Sequence, residues 1–435
     1  MCTMQSVKTI VITVLLLFSV AAGWAQEDSF PNIYFTTPLD LQSGRVFGVL
    51  DGTRKVDDTT VILTAPTFKL WNPSPRGDFS LTYQPQFELF AHHGHLSSWN
   101  HQAGLQGNYK MTPRWSIDFN DLFVATRDNN LRFDSAFLLP RGPYKENAAF
   151  LKLNYAMSSQ TRIKLHYDNA LVSFREDHVT RPIFFSRLTN TYGLTTEHRF
   201  NPKLKLTGDY SYLRSHSFDK YDQFGFLVAP HPPTHVGSLT YDYNVTPRIL
   251  LEVSGGYVRN RINSYVVSGL VEKHFNRGVI AGGFSRYLSY LGSPATAGIQ
   301  PIPGVVSGRS LPPNTINDTA SVRAQGDVSS RVVLELTLIG TRTTGLEGKN
   351  PKGMMARMRV SYKLADRVAM FWSAHFLGQN TNELLPEAIS RKGVFVGIEY
   401  TFSPTAEAVA RRRDEYNTKG DMTSLSANEK AREGK

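Results

Sequence analysis

"KLKLTGDYSY" (203–212) changes chemistry at almost every residue. Leu204, Leu206, Tyr210 and Tyr212 are apolar or aromatic, while Lys203, Lys205, Thr207 and Asp209 between them carry charge or hydroxyl. Successive side chains of an extended strand point to opposite faces, so this segment has one greasy wall and one wet wall. The same alternation recurs in "RIKLHYDNAL" (162–171), where Ile163, Leu165 and Tyr167 alternate with Arg162, Lys164, His166 and Asp168. In "ARMRVSYKL" (356–364), Met358, Val360 and Tyr362 alternate with Arg357, Arg359 and Lys363. A soluble sandwich alternates too, with its apolar faces packed together. Two features favour a membrane. The runs are about a dozen residues long, which suits a tilted span of roughly 9–11 residues better than the usual strand of about five or six. Tyr and Phe gather near the strand ends, as an interfacial girdle requires.

The connections are sorted by length. Tight polar turns stand at 111–114, 158–161, 201–203, 245–248, 276–277, 329–331 and 365–367, rich in Pro, Asn, Asp and Ser. Between these hairpins lie longer stretches at 127–146, 175–189, 217–233, 291–317 and 380–390. Short turns on one rim and long loops on the other are the signature of a transmembrane antiparallel up-and-down β-barrel. The fold class expected is therefore all-β. Strands 78–90 and 393–402 flank seven hairpins, and 43–51 with 59–71 adds a further pair. Eighteen strands are expected on this count. Sixteen is the alternative, with 26–76 as a periplasmic or plugging segment.

Composition agrees with an exported barrel. Hydrophobic residues make up 41% and mean hydropathy is −0.28, which does not suit a bundle of membrane helices. Lys8, the apolar run 9–23 and small residues before Ala25 form a secretory signal, too short to span. Cys2, the single cysteine, lies inside that signal, so a processed chain has neither disulfide nor thiolate zinc site. The expected organisation is a signal at 1–25, a periplasmic segment at 26–42, the barrel at 43–402 and a charged tail at 403–435, helical or disordered. The expected location is the outer membrane of a Gram-negative-type bacterium, reached through the Sec pathway.

"DDTTVILTAPTFKLW", "DFSLTYQPQFELF" and "NYKMTPRWSIDF" together resemble the opening of large porin-type outer-membrane β-barrel families. Some members of these families accompany exopolysaccharide-export genes. "GIEYTF" (397–402) is similar to the terminal signal read by the barrel-assembly machinery, through Gly397, Tyr400 and Phe402. It departs from that pattern at Phe395, where a polar residue is usual, and in being followed by a tail. The resemblance implies location and architecture rather than a substrate.

Charge points to the lumen. The chain carries +11, and the excess lies in the barrel segment. Lys or Arg facing lipid at the midplane costs roughly 2–4 kcal/mol, so these charges belong inside or on the loops. Expected lumen residues are Arg162, Lys164, His166, Asp168, Lys203, Lys205, Asp209, Arg323, Asp327, Arg357, Arg359 and Lys363. A basic lumen favours anions, although the same residues also serve simply to solvate an inner wall. His92, His93, His95 and His101 crowd one external loop and are weak candidates for a divalent metal. The Pro- and Gly-rich stretch 291–314 suits a constriction, a lid or a plain external loop. No G-x-S-x-G elbow, Walker loop, dinucleotide fingerprint or H-E-x-x-H occurs. The expectation is a passive diffusion channel without cofactor or enzymatic activity. Its partners would be outer-membrane lipid and lipopolysaccharide, the assembly machinery, and small polar or anionic solutes or a polysaccharide. Nucleic acid is not among them, and a homo-oligomer is left open. A non-conducting structural or adhesion barrel and an export partner for a polysaccharide are the competing readings, with a barrel hydrolase behind them.

Overall fold

A computed structural model describes residues 32–35, 37–51, 54–127, 143–174, 186–218, 233–260, 263–288, 316–344, 352–380 and 389–401. The signal, the stretch 291–314, Phe402 and the tail lie outside the described residues. In chain order the strands are β1 (Asn32–Phe35), β2 (Leu39–Asp51), β3 (Arg54–Thr64), β4 (Phe68–Ser74), β5 (Gly77–Phe90), β6 (Ser98–Lys110) and β7 (Trp115–Thr126). Next come β8 (Tyr144–Ala156), β9 (Thr161–Phe174), β10 (Arg187–Asn201), β11 (Leu204–Ser217), β12 (Thr234–Thr246) and β13 (Ile249–Arg259). The last are β14 (Ser264–Phe275), β15 (Gly278–Leu288), β16 (Ile316–Asp327), β17 (Val332–Thr344), β18 (Lys352–Ala365), β19 (Val368–Gln379) and β20 (Ile389–Tyr400).

From β5 to β20 each strand pairs antiparallel with its sequence neighbour, and β20 then pairs with β2 from Leu39↔Tyr400 to Phe47↔Lys392. The sheet is therefore a closed ring. Closure satisfies every strand edge, which is what allows a sheet to stand in hydrocarbon. The twenty segments make eighteen walls, because two walls are interrupted. β3 and β4 both pair with β5, one above the other, and β1 and β2 lie in the same way along β4 and β3. Pro66 and Pro38 sit in the two breaks. Proline lacks the amide hydrogen that a ladder needs. The breaks are tied together instead by Thr37 Oγ1, which accepts the Thr67 amide at 2.7 Å and the Gln84 side-chain amide at 3.3 Å.

The wall thus begins earlier than residue 43, since β2 starts at Leu39 and β1 at Asn32. Residues 32–35 and 39–42 are barrel, not the periplasmic segment expected over 26–42. Likewise 59–71 is two segments rather than one strand. The eighteen-strand count stands. The tight turns fall where their composition places them. Three share one device: the hydroxyls of Thr112, Ser158 and Ser329 each accept two backbone amides two and three residues on, at 2.9 to 3.3 Å.

Burial is inverted relative to a soluble sheet. On β20, Val394, Val396 and Ile398 are 45%, 55% and 54% exposed, whereas Arg391 and Phe395 are nearly inaccessible. On β16, Val322 is exposed while Asn317, Thr319 and Ser321 are buried. Apolar side chains facing out and polar ones facing in are stable only where the surroundings are apolar. This arrangement identifies a membrane-spanning barrel. Aromatic pairs mark both levels of the outer face. Trp115 and Tyr155 stack at the short-turn rim with ring centroids 4.6 Å apart, and Phe87 and Trp99 meet at 4.9 Å near the opposite rim. Within the apolar band, Asp121 breaks the pattern. Asp121 shares the outward side of β7 with Phe119 and Phe123, and Asn147 of β8 donates to it at 2.9 Å.

Candidate functional site

The inner wall is identified by the side that Arg391, Phe395, Asn317 and Thr319 occupy. Strand parity then places Arg162, Lys164, His166 and Asp168 on the inside of β9, Lys205 and Asp209 inside β11, and Arg323 inside β16. Arg357 and Arg359 are inside β18. Lys203, Asp327 and Lys363 are less central. Lys203 precedes β11 in its turn, Asp327 ends β16, and Lys363 lies at the rim within 3.8 Å of Asp366.

Of these eight Lys and Arg side chains, four have a carboxylate partner among the described residues: Lys164, Lys205, Arg359 and Lys363. Lys164 pairs with Glu197 on β10, and Lys205 meets Asp242 on β12 at 2.6 Å. Lys152 and Asp118, absent from the sequence expectation, pair at 2.9 Å across β8 and β7. Asp209 accepts the Thr195 hydroxyl at 2.6 Å and the Ser211 hydroxyl at 3.0 Å. The His166 ring lies over Gly193, where any side chain would collide with it. The pairs of Lys164, Lys205 and Lys152 are all cross-strand, so spacing along one strand gives no sign of them. The inner wall is consequently more neutral than its list of bases suggests.

The densest group is at the seam where the ring closes. The Arg359 guanidinium donates to Asp40 on β2 at 3.0 Å and also to Glu399 on β20. Its charged carbon stands 3.8 Å above the Phe371 ring of β19. That ring has room to lie flat because the position beside it is Gly397, where an added Cβ would fall 2.3 Å from it and 2.7 Å from the Leu41 carbonyl oxygen. Gly393 and Gly44 make the same allowance for His375 and Phe395, whose rings are stacked at 5.4 Å. Gly397, expected as part of an assembly signal, thus has a packing role here. Tyr400 faces outward opposite Leu39 and Val368.

Arg357, two residues before Arg359, is on the same inner side and exposed. It lies opposite Thr337 and His375 and forms no ion pair among the described residues. Arg323, on the far side of Thr337, donates to Gln325 at 2.9 Å. The seam therefore shows one arginine saturated by two carboxylates and one presented to the lumen. Toward the long-connection rim the inner wall changes character. Thr60, Val124, Val172, Val258, Ser285, Asn317 and Thr343 have almost no accessible surface. Inner-wall side chains at that level are covered, whereas several nearer the short-turn rim, Arg162 and Arg357 among them, are exposed.

The four histidines are not brought together at one point. Asp58, whose side chain is fully buried on β3, accepts the backbone amides of His92 and His93 at 3.0 and 2.9 Å, and both their Nδ1 atoms lie within 2.9 Å of it. A carboxylate from 34 residues upstream thus holds the segment after β5. His101 is elsewhere, on the outer face, with Nδ1 2.9 Å from the Tyr83 hydroxyl. No group of three or more metal-ligating side chains occurs among the described residues.

These features define the class: a closed, eighteen-strand membrane barrel with a partly charged lumen. No family model and no curated protein sequence matches the chain. Among solved structures it is similar to the Pseudomonas aeruginosa protein OccK2 (OpdF) in complex with glucuronate, at 9% identity, with 85% of this chain and 98% of that one covered and a TM-score of 0.45. It is similar to OccAB2 of Acinetobacter baumannii at 13% identity, with 84% and 98% covered and a TM-score of 0.42. The siderophore receptor PirA of Pseudomonas aeruginosa is matched at 10% identity, with 86% and 82% covered and a TM-score of 0.37. Likeness at this level assigns no function to the chain.

Proposed function

We propose that the chain is an outer-membrane diffusion channel for small anionic or polar solutes. Its short-turn rim, which also carries both described ends of the chain, would face the periplasm. The observation that carries this reading is Arg357, an exposed guanidinium on the inner wall beside an arginine that is already neutralised. A lumen cation with no ion-pair partner among the described residues raises the local concentration of anions without trapping them. The buried inner wall near the long-connection rim makes the path narrow, which suits small solutes. Planar-bilayer recording on refolded protein tests the reading. The expected result is stepwise conductance with a reversal potential displaced toward the anion in a salt gradient. Cation preference would refute the anionic part.

The covered inner wall near the long-connection rim also supports a second reading, a non-conducting barrel that serves as a structural element or as the membrane partner of a polysaccharide exporter. Complete absence of conductance from correctly folded, heat-modifiable protein selects that reading over the first.

A further inference from the structure

The outer face carries charge that the channel reading does not use. Cross-strand register sets Arg286 (β15), Asp318 (β16), Arg342 (β17) and Lys352 (β18) side by side in one row. Parity puts all four outward, on the side of the exposed residues Phe284, Val322, Leu338 and Met354. All lie near the long-connection ends of their strands, above the apolar band. Arg286 is fixed in place: its Nη1 donates to both Asp318 oxygens at 2.9 and 3.2 Å, and its guanidinium carbon lies 4.6 Å from the Tyr265 ring centre. Arg342 and Lys352 are exposed, directly opposite each other, and form no ion pair among the described residues.

Like charges directly opposed on paired strands repel. Here they do so at the membrane surface, where less water is present to screen them. A multivalent anion lying between the two strands would relieve that repulsion, and Asp318 is already committed to Arg286. Other outward cations, Arg45, Arg259 and Lys392, occupy the same half of the barrel, whereas Lys273 stands alone in the short-turn half among the described strand residues.

We infer that Arg342 and Lys352, on the platform made by Arg286, Asp318 and Tyr265, form a binding site for the phosphate groups of an outer-leaflet glycolipid of the lipid A class. The inference rests on the outer-membrane orientation proposed above. A phosphomonoester between the two strands would accept hydrogen bonds from the Arg342 guanidinium and the Lys352 ammonium, and its acyl chains would lie along the exposed Leu338 and Met354.

The test is native mass spectrometry of the full chain refolded in detergent, titrated with Kdo2-lipid A, with its dephosphorylated form and with phosphatidylglycerol. The expected result is retention of Kdo2-lipid A, at least tenfold weaker binding in the Arg342→Gln, Lys352→Gln double variant, and unchanged binding in Lys273→Gln. Heat-modifiable migration on gels confirms that each variant is folded. Equal binding by wild type and double variant overturns the proposal, as does equal retention of the dephosphorylated lipid or of phosphatidylglycerol. Because binding is read on purified protein, it can fail while cell fractionation still places the barrel in the outer membrane, and the converse also holds.

Discussion

Replacing Arg357 by Gln removes one positive charge from the lumen without breaking an ion pair among the described residues. A monovalent anion passing about 7 Å from it in water gains roughly 0.6 kcal/mol by Coulomb's law, close to RT. A cation at the same place is disfavoured equally, so the anion-to-cation permeability ratio changes up to about sevenfold unscreened, and about two- to threefold once 0.1 M salt halves the interaction. Screening limits it: the Debye length is about 10 Å at 0.1 M salt and about 3 Å at 1 M, so the effect belongs to dilute salt. Reversal potentials in a potassium chloride gradient, measured around 0.1 M and again around 1 M, are the assay. Arg357→Gln should reduce anion preference in the first and leave it unaltered in the second. Arg359→Gln provides the contrast. It strands Asp40 and Glu399 at the seam, and breaking a partly buried pair of this kind costs up to roughly 3–5 kcal/mol, so it should first appear as lost heat resistance of the folded band. An Arg357→Gln channel with wild-type selectivity in dilute salt would refute the assignment of Arg357 as a free lumen cation.

Three further outcomes are expected. Gly397→Val pushes a Cβ into Phe371 and the Leu41 carbonyl; overpacking of this sort costs about 1–3 kcal/mol, and the barrel should unfold at lower temperature or denaturant concentration. Asp58→Asn weakens the acceptor for His92 and His93, so both imidazoles should react faster with diethyl pyrocarbonate while His101 keeps its rate; equal rates in wild type and variant would count against the clamp. Asp121→Leu replaces an outward carboxylate within the apolar face and should raise barrel stability in lipid by about 1 kcal/mol or more; a loss of stability instead would mean that a protein partner, not lipid, covers that position.

The walls and turns were legible in sequence because both depend on local rules. A strand facing lipid on one side and water on the other must alternate, and Ser158 or Ser329 can close a turn whatever lies elsewhere. The start of the barrel was obscured because Pro38 and Pro66 interrupt the alternation that marks a wall, and only pairing with β4 and β5 shows that the segments continue. The site was less legible. Arg357 and Arg359 flank Met358 and share a parity, yet the first has no ion pair among the described residues and the second is held by residues 319 and 40 positions away. The same limit applied to Asp58, since no spacing rule joins it to His92. Phe395 shows the converse: an aromatic on the polar side of its strand, explained by the glycine at 44 across the seam.

The seam between β2 and β20 also bears on how such a ring is made. Every other pairing in the wall joins segments near in sequence, so hairpins can form as the chain emerges and add to one another at modest entropic expense. Only Leu39↔Tyr400 and the pairs above it require the whole barrel to be present. Ring closure is the meeting of two edges distant in sequence, and the correct register must be distinguished from slipped ones. Gly44 of β2 accepts the Phe395 ring of β20 directly opposite it, and Arg359 reaches Asp40 and Glu399 only when both strands are in place. The charged cluster that shapes the lumen thus doubles as a check that the ring has closed on the right residue.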